Sequence, residues 1–354
     1  MYVLILSFLT AFTLTYFAIP SIISLARQKR LFDEPNERSS HKVSTPSLGG
    51  IAIFAGAIFS IVLWTPFQTF GNLQYILCAF IIIFLIGAKD DLAPMSPYKK
   101  LVGQILAATI LVFKSDIALK GFYGFMGINN EFGQGFSILF SIFTIMVIIN
   151  AFNLIDGING LAGSIGALIA ATLGTWFLMV DRIEFAIVAF ATVGAVVAFL
   201  KYNYTPAKIF MGDTGSLLIG IVSAILIIEF IDYNYNLEAG AKYKFDSIPA
   251  VAIGVMILPL FDTIRVFTTR ALRGSSPFKP DRRHIHHLLI DAGYTHMQAT
   301  AVLVFVNVCF IVFVFSMHEQ LELHILLMSI ICIATLLTYY LHLRANDYKQ
   351  QLSS

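Results

Sequence analysis

The feature that most constrains this chain is its apolar residues falling into blocks of about twenty. As a helix, such a block is the length that crosses a bilayer core of about 30 Å. Backbone in lipid must satisfy its own hydrogen bonds, which leaves helices or closed barrels as spanning structures. The apolar runs are continuous rather than alternating, which selects helices. Of the 354 residues 58% are hydrophobic and only 12% are charged, against roughly a quarter charged in soluble domains. The expected fold is therefore all-α: a polytopic membrane protein of about eleven helices. The expected spans cover residues 2–25, 49–66, 73–88, 101–118, 136–151, 160–180, 184–200, 215–231, 248–267, 298–317 and 324–343. No soluble domain fits between them, so residues 1–354 read as a single transmembrane catalytic domain. The N-terminus lacks the basic stretch of a cleavable signal. Cys78, Cys309 and Cys332 lie inside apolar runs as small hydrophobes. A net charge of only +2, scattered over loops, argues against nucleic-acid binding.

Loop charge gives an orientation. Seventeen lysines and arginines fall in one set of loops, and four, Lys120, Arg182, Lys242 and Lys244, in the other. The basic side is expected in the cytoplasm, with the N-terminus outside and the C-terminus inside. The polar clusters lie on that same basic face, so a site with a cytosolic substrate is expected there.

Four segments carry the chemistry. Asp90 and Asp91 close the third span, where Pro94 and Pro97 end the helix. Helix neighbours point about 100° apart, so the two reach one ligand only if the helix ends there. Asn153, Asp156 and Asn159 recur every third residue in Asn153-Leu-Ile-Asp156-Gly157-Ile-Asn159-Gly160, and a turn would gather them on one side. Such polar groups at membrane level are expensive and usually face a cavity; the plain alternative is an ordinary turn. Met211-Gly212-Asp213-Thr214-Gly215-Ser216 opens the eighth span. Free N–H groups at a helix start bind phosphate well, and Asp213 beside them suits a metal, unless the segment is only a capping turn. Arg282, His284, His286 and His287 stand in the long loop Ser276–His287, a set suited to a diphosphate. Zinc is weaker, because the other candidate ligands are oxygens and those point to Mg²⁺. His41 and Thr45 sit in the first basic loop, a weak signal alone. Asp262, with Arg265 three residues on, reads as a paired structural charge.

Together these segments, in this order and between spans, resemble the polyprenyl-phosphate N-acetylhexosamine-1-phosphate transferase family. The stretch Ser-Pro-Phe-Lys-Pro-Asp-Arg-Arg-His-Ile-His-His is similar to the bacterial branch that makes undecaprenyl-diphosphate-GlcNAc. The resemblance implies Mg²⁺, with Mn²⁺ as an alternative, a UDP-N-acetylhexosamine and undecaprenyl phosphate held in the lipid bilayer. It places the protein in the bacterial inner membrane at the start of a surface polysaccharide such as O-antigen. It implies catalytic roles for Asp90, Asp91, Asp156 and Asn159, and metal binding by Asp213 and Asn153. Substrate contacts are expected from His41, Thr45, Lys100, Asn153, Arg282, His284, His286 and His287. One position departs: the branch usually has Asp where this chain has Asn159. The alternatives are another UDP-N-acetyl sugar, such as a 6-deoxy one, or a membrane transporter, whose sites also use broken helices. A homodimer stays open.

Overall fold

The computed structural model describes residues 1–31, 45–274 and 284–353, and among these it contains helices and no strand. The helices are α1 (Tyr2–Lys29), α2 (Gly49–Trp64), α3 (Phe70–Leu92), α4 (Pro97–Lys114), α5 (Gln134–Ile155), α6 (Leu161–Met179), α7 (Ile183–Asn203), α8 (Gly212–Asn236), α9 (Ile248–Val255), α10 (Ile257–Leu272), α11 (Ile285–Asp291), α12 (His296–Met317) and α13 (Leu323–Ser353). Eight of them, α1, α3, α5, α6, α7, α8, α12 and α13, are long and apolar enough to cross a membrane. The protein is thus a multi-pass membrane protein.

Each of the eleven expected spans coincides with a helix, but they are not alike. The ninth is broken: α9 and α10 meet at 85°, and as a pair they make a ninth candidate. Helix α2 has 16 residues, about 24 Å at 1.5 Å per residue, which is short for a full crossing. Helix α4 begins at Pro97 rather than near residue 101. Proline suits the first helical turn, where its missing N–H has no partner to lose, and it draws Lys99 and Lys100 into the helix.

Helix α8 is the axis. Buried residues make up 89% of its span, against 22% for α13, and it packs against α2, α3, α5, α6, α7 and α9. Its first turn is gripped by glycines on two neighbours. A Cβ on Gly50 would lie 2.1 Å from the Gly215 nitrogen, and one on Gly87 2.4 Å from the Thr214 Cα. Only a missing side chain lets helices approach so closely. The first two residues of α2 join in: Gly49 N–H donates to the Phe210 carbonyl at 2.9 Å and Gly50 N–H to that of Met211 at 2.8 Å. The start of α8 is therefore fixed on several sides.

The other end of α8 carries a different set of charges. Lys120 pairs with Asp232 at 3.2 Å and Arg182 with Glu229 at 3.5 Å. Lys244 bonds the carbonyl of Leu237. Three of the four minority lysines and arginines thus share the end of the bundle opposite Asp213.

Candidate active site

Four helix ends meet around Asp213: the C-terminal turns of α3 and α5 and the N-terminal turns of α4 and α8. Helix α3 runs on to Leu92, past both aspartates. Being neighbours on a continuing helix, the two diverge. Asp90 accepts from the Met95 N–H at 2.5 Å and pairs with Lys100 Nζ at 2.7 Å. Asp91 turns to α8, accepting from Asp213 N–H at 2.6 Å, Thr214 N–H at 3.0 Å and the Thr214 hydroxyl at 2.5 Å. The first N–H groups of α8, read from sequence as a phosphate nest, are thus already filled by a carboxylate of the protein itself. The Lys100 ammonium bridges Asp90 and Asp213. Asn153 donates its amide to Asp213 Oδ1 and to Ser216 Oγ, both at 3.0 Å. That fixes Asp213 from two sides, and among the described residues nothing donates to the amide oxygen of Asn153, which can accept.

Asp156 follows directly on the last residue of α5. Its carboxylate makes no hydrogen bond or ion pair among the described residues, in contrast to every other aspartate of the cluster. Burial, then the charges of Asp213 and Asp91, push its carboxyl up to about 7. The next residue, Gly157, is where the histidine segment docks: a Cβ there would lie 2.3 Å from His286 Nε2. His286 is buried, and burial, then His287, hold its imidazole down at about 3. It is neutral at physiological pH and offers the site no positive charge. The rings of His286 and His287 lie 4.2 Å apart. His284 is also buried, with Nδ1 at 2.9 Å from Asp262 Oδ2.

The chain matches the model of the glycosyl transferase family 4 over residues 73–231, the stretch that carries Asp90 through Asp213. It is 31% identical to the undecaprenyl-phosphate alpha-N-acetylglucosaminyl 1-phosphate transferase of Salmonella typhi over 274 residues, 76% of this chain and 71% of that protein. This chain belongs to glycosyl transferase family 4. Two further members of the group are similar at lower identity. The enzyme of the same name from Escherichia coli K12 is 28% identical over 279 residues, covering 78% of this chain and 73% of its own. The decaprenyl-phosphate N-acetylglucosaminephosphotransferase of Mycobacterium tuberculosis H37Rv is 29% identical over 313 residues, covering 83% and 78%.

As a family 4 transferase the chain is an enzyme, and most residues singled out from sequence gather in one place. Asp90, Lys100, Asn153, Asp156 and Asp213 do so directly, and Asp91 stands behind Asp213. Asn159 turns elsewhere: it is buried, donates its side-chain amide to Thr205 Oγ1 at 3.0 Å, and its backbone carbonyl accepts from the Thr300 hydroxyl at 2.8 Å. Thr45 is buried, and the carbonyl of its neighbour Pro46 accepts from Phe210 N–H at 2.8 Å, three residues before Asp213. His41 and Arg282 lie outside the described residues. Sequence reasoning missed the reach of Asp262. It pairs with Arg265 at 2.8 Å, as the spacing implied, and also accepts from Ile285 N–H at 3.0 Å and holds His284. A charge in an apolar span drew attention to it, but nothing in the spacing pointed to partners 22 and 23 residues away.

Proposed function

We propose that this enzyme transfers N-acetylglucosamine-1-phosphate from UDP-GlcNAc to undecaprenyl phosphate, as the first membrane step of a surface polysaccharide. The observation that carries the reading is the convergence of Asp90, Lys100, Asn153, Asp156 and Asp213 at the ends of four apolar helices. That placement suits one substrate with its tail in lipid and another arriving from water. The names of the Salmonella typhi and Escherichia coli relatives support the same lipid and sugar, and that of the Mycobacterium tuberculosis relative supports the same sugar on a decaprenyl lipid. An oxygen of the lipid phosphate forms a bond to the β-phosphorus, the bond from that phosphorus to the bridging oxygen breaks, and UMP leaves. The lipid phosphate, with a second pKa near 6, is mostly dianionic at neutral pH and needs no strong base.

The residues fit a Mg²⁺ ion, with Mn²⁺ able to replace it. Among the described residues no three His, Cys, Asp or Glu side chains converge to hold a metal alone. Mg²⁺ asks for less: one or two carboxylates, with waters and substrate phosphates for the rest. The Lys100 ammonium between Asp90 and Asp213 marks a point where this donor set already stabilises a cation. Asp213 and the amide oxygen of Asn153 would hold the ion, which would supply charge neutralisation on the diphosphate. Asp90 orients Lys100, whose ammonium is placed to hold a phosphate oxygen. Asp91 keeps the Asp213 turn in position. Asp156, which has no partner among the described residues and whose carboxyl burial raises to about 7, can carry a proton to or from a phosphate oxygen.

The site face is cytosolic in this reading, since three of the four residues on the poorly basic side sit at the far end of α8. Broken spans like the α9–α10 pair also occur in transporters, but the site residues lie at helix ends on one face. The test is release of UMP by purified protein given Mg²⁺, UDP-GlcNAc and undecaprenyl phosphate, with Asp213→Asn as control. A parent protein that releases UMP with none of a panel of UDP-N-acetyl sugars overturns the proposal. A reporter fused after Ser354 should read cytoplasmic.

A further inference from the structure

Asp262 is held by more than its sequence neighbour. Its Oδ1 accepts from Arg265 Nη2 at 2.8 Å and from Ile285 N–H at 3.0 Å, and its Oδ2 faces His284 Nδ1 at 2.9 Å. The residue is 1% exposed. A carboxylate beside a guanidinium in a buried pocket stays ionised and can only accept. His284 Nδ1 must then carry its proton toward Asp262. The same carboxylate takes the N–H of Ile285, the first residue of α11. One side chain of α10 therefore sets both the ring orientation of His284 and the point where α11 begins. Helix α11 carries His286 onto Gly157, next to Asp156.

We infer that Asp262 is a positioning residue for catalysis: through His284 and the start of α11 it seats the histidine segment against the Asp156 turn, and so sets the affinity for the nucleotide sugar. The inference rests on the proposed function and adds to it a residue outside the carboxylate cluster. Buried partners that orient a functional ring change activity about 10- to 100-fold when altered. Asn at 262 keeps the size but has one acceptor oxygen for three donors, and its amide faces the His284 proton.

The experiment compares Asp262→Asn, His284→Asn, His284→Ala and the double variant Asp262→Asn/His284→Ala in detergent. It reads UMP release, Mn²⁺ affinity by electron paramagnetic resonance, and amide hydrogen exchange over residues 284–291. Asp262→Asn should raise KM for UDP-GlcNAc about tenfold, leave Mn²⁺ affinity at the parent value and speed exchange in α11. The double variant should be no worse than the worse single one, because both break one contact. His284→Asn, which keeps a donor near Nδ1, should outperform His284→Ala. Unchanged KM in Asp262→Asn, additive losses, or equal damage from both His284 variants would overturn the inference. If the parent releases no UMP, the proposed function fails first. Exchange in α11 then still decides the positioning, and identical rates in parent and Asp262→Asn overturn it. Should Asp262→Asn not fold, the two His284 variants carry the test.

Discussion

Asp91 caps the helix that carries Asp213 from outside, with its two oxygens 2.6 Å and 3.0 Å from the backbone nitrogens of Asp213 and Thr214. Helix starts leave such N–H groups open, and here another helix supplies the carboxylate that fills them. A hydrogen bond to a charged group contributes about 1.5–3 kcal/mol. Asp91→Asn leaves one oxygen for these donors and turns an amide toward the other. The variant should lose about 10- to 100-fold in turnover together with Mn²⁺ affinity, while the shape of its pH–rate profile stays that of the parent. A changed profile with unchanged Mn²⁺ binding would make Asp91 a proton carrier instead.

Lys100→Met tests the cation position. Without the ammonium, Asp90 and Asp213 face each other with no cation between them, and like charges that close are costly. The metal-free variant should melt below the parent, and Mn²⁺ should raise its melting temperature by more than it raises the parent's. Equal Mn²⁺ shifts would place the metal away from this pair.

Much of this arrangement was legible in the sequence, because each span is an apolar block and each polar cluster interrupts one. What a linear reading could not supply was direction. Asp90 and Asp91 look like a pair, yet on a helix that continues to Leu92 they serve different partners. Asn153, Asp156 and Asn159 share a spacing of three, but α5 ends at Ile155, so the third member leaves the turn for Thr205. The partners of Asp262 are 22 and 23 residues away in a loop, beyond any helical periodicity. The break between α9 and α10 lies between Gly254 and Pro259, whose ring would meet the carbonyl of Val255 four residues back in an unbroken helix, a signal hidden inside one apolar block.

Gly157→Ala should disable the enzyme through His286, since the added carbon would lie 2.3 Å from Nε2. His286 is buried and cannot move aside freely. Overlap of this size typically costs about 1–3 kcal/mol, so turnover should fall at least about tenfold. Pairing Gly157→Ala with His286→Ala should show a loss smaller than the two single losses combined. Fully additive losses would mean that the two do not meet.

The pH dependence should centre on Asp156. Its folded-state carboxyl stands at about 7, and an unfolded Asp titrates near about 3.9. The folded protein therefore holds a proton that the unfolded chain has lost. The group's contribution to stability is present below about pH 4, is lost as pH rises through about 7, and levels off above. Thermal midpoints of metal-free protein measured from pH 4 to 8 should fall less steeply in Asp156→Asn than in the parent. Parallel curves would show that Asp156 titrates like an exposed carboxylate.

The central claim is which bond breaks, and the fate of the two phosphates decides it. UDP-GlcNAc labelled with ³²P at the β-phosphorus should pass its label, with Mg²⁺ and undecaprenyl phosphate present, into a butanol-extractable lipid. The same sugar nucleotide labelled at the α-phosphorus should leave its label in water as UMP. Label at the β-position appearing in water as UDP, with the sugar alone on the lipid, would contradict the assignment of this site to sugar-1-phosphate transfer.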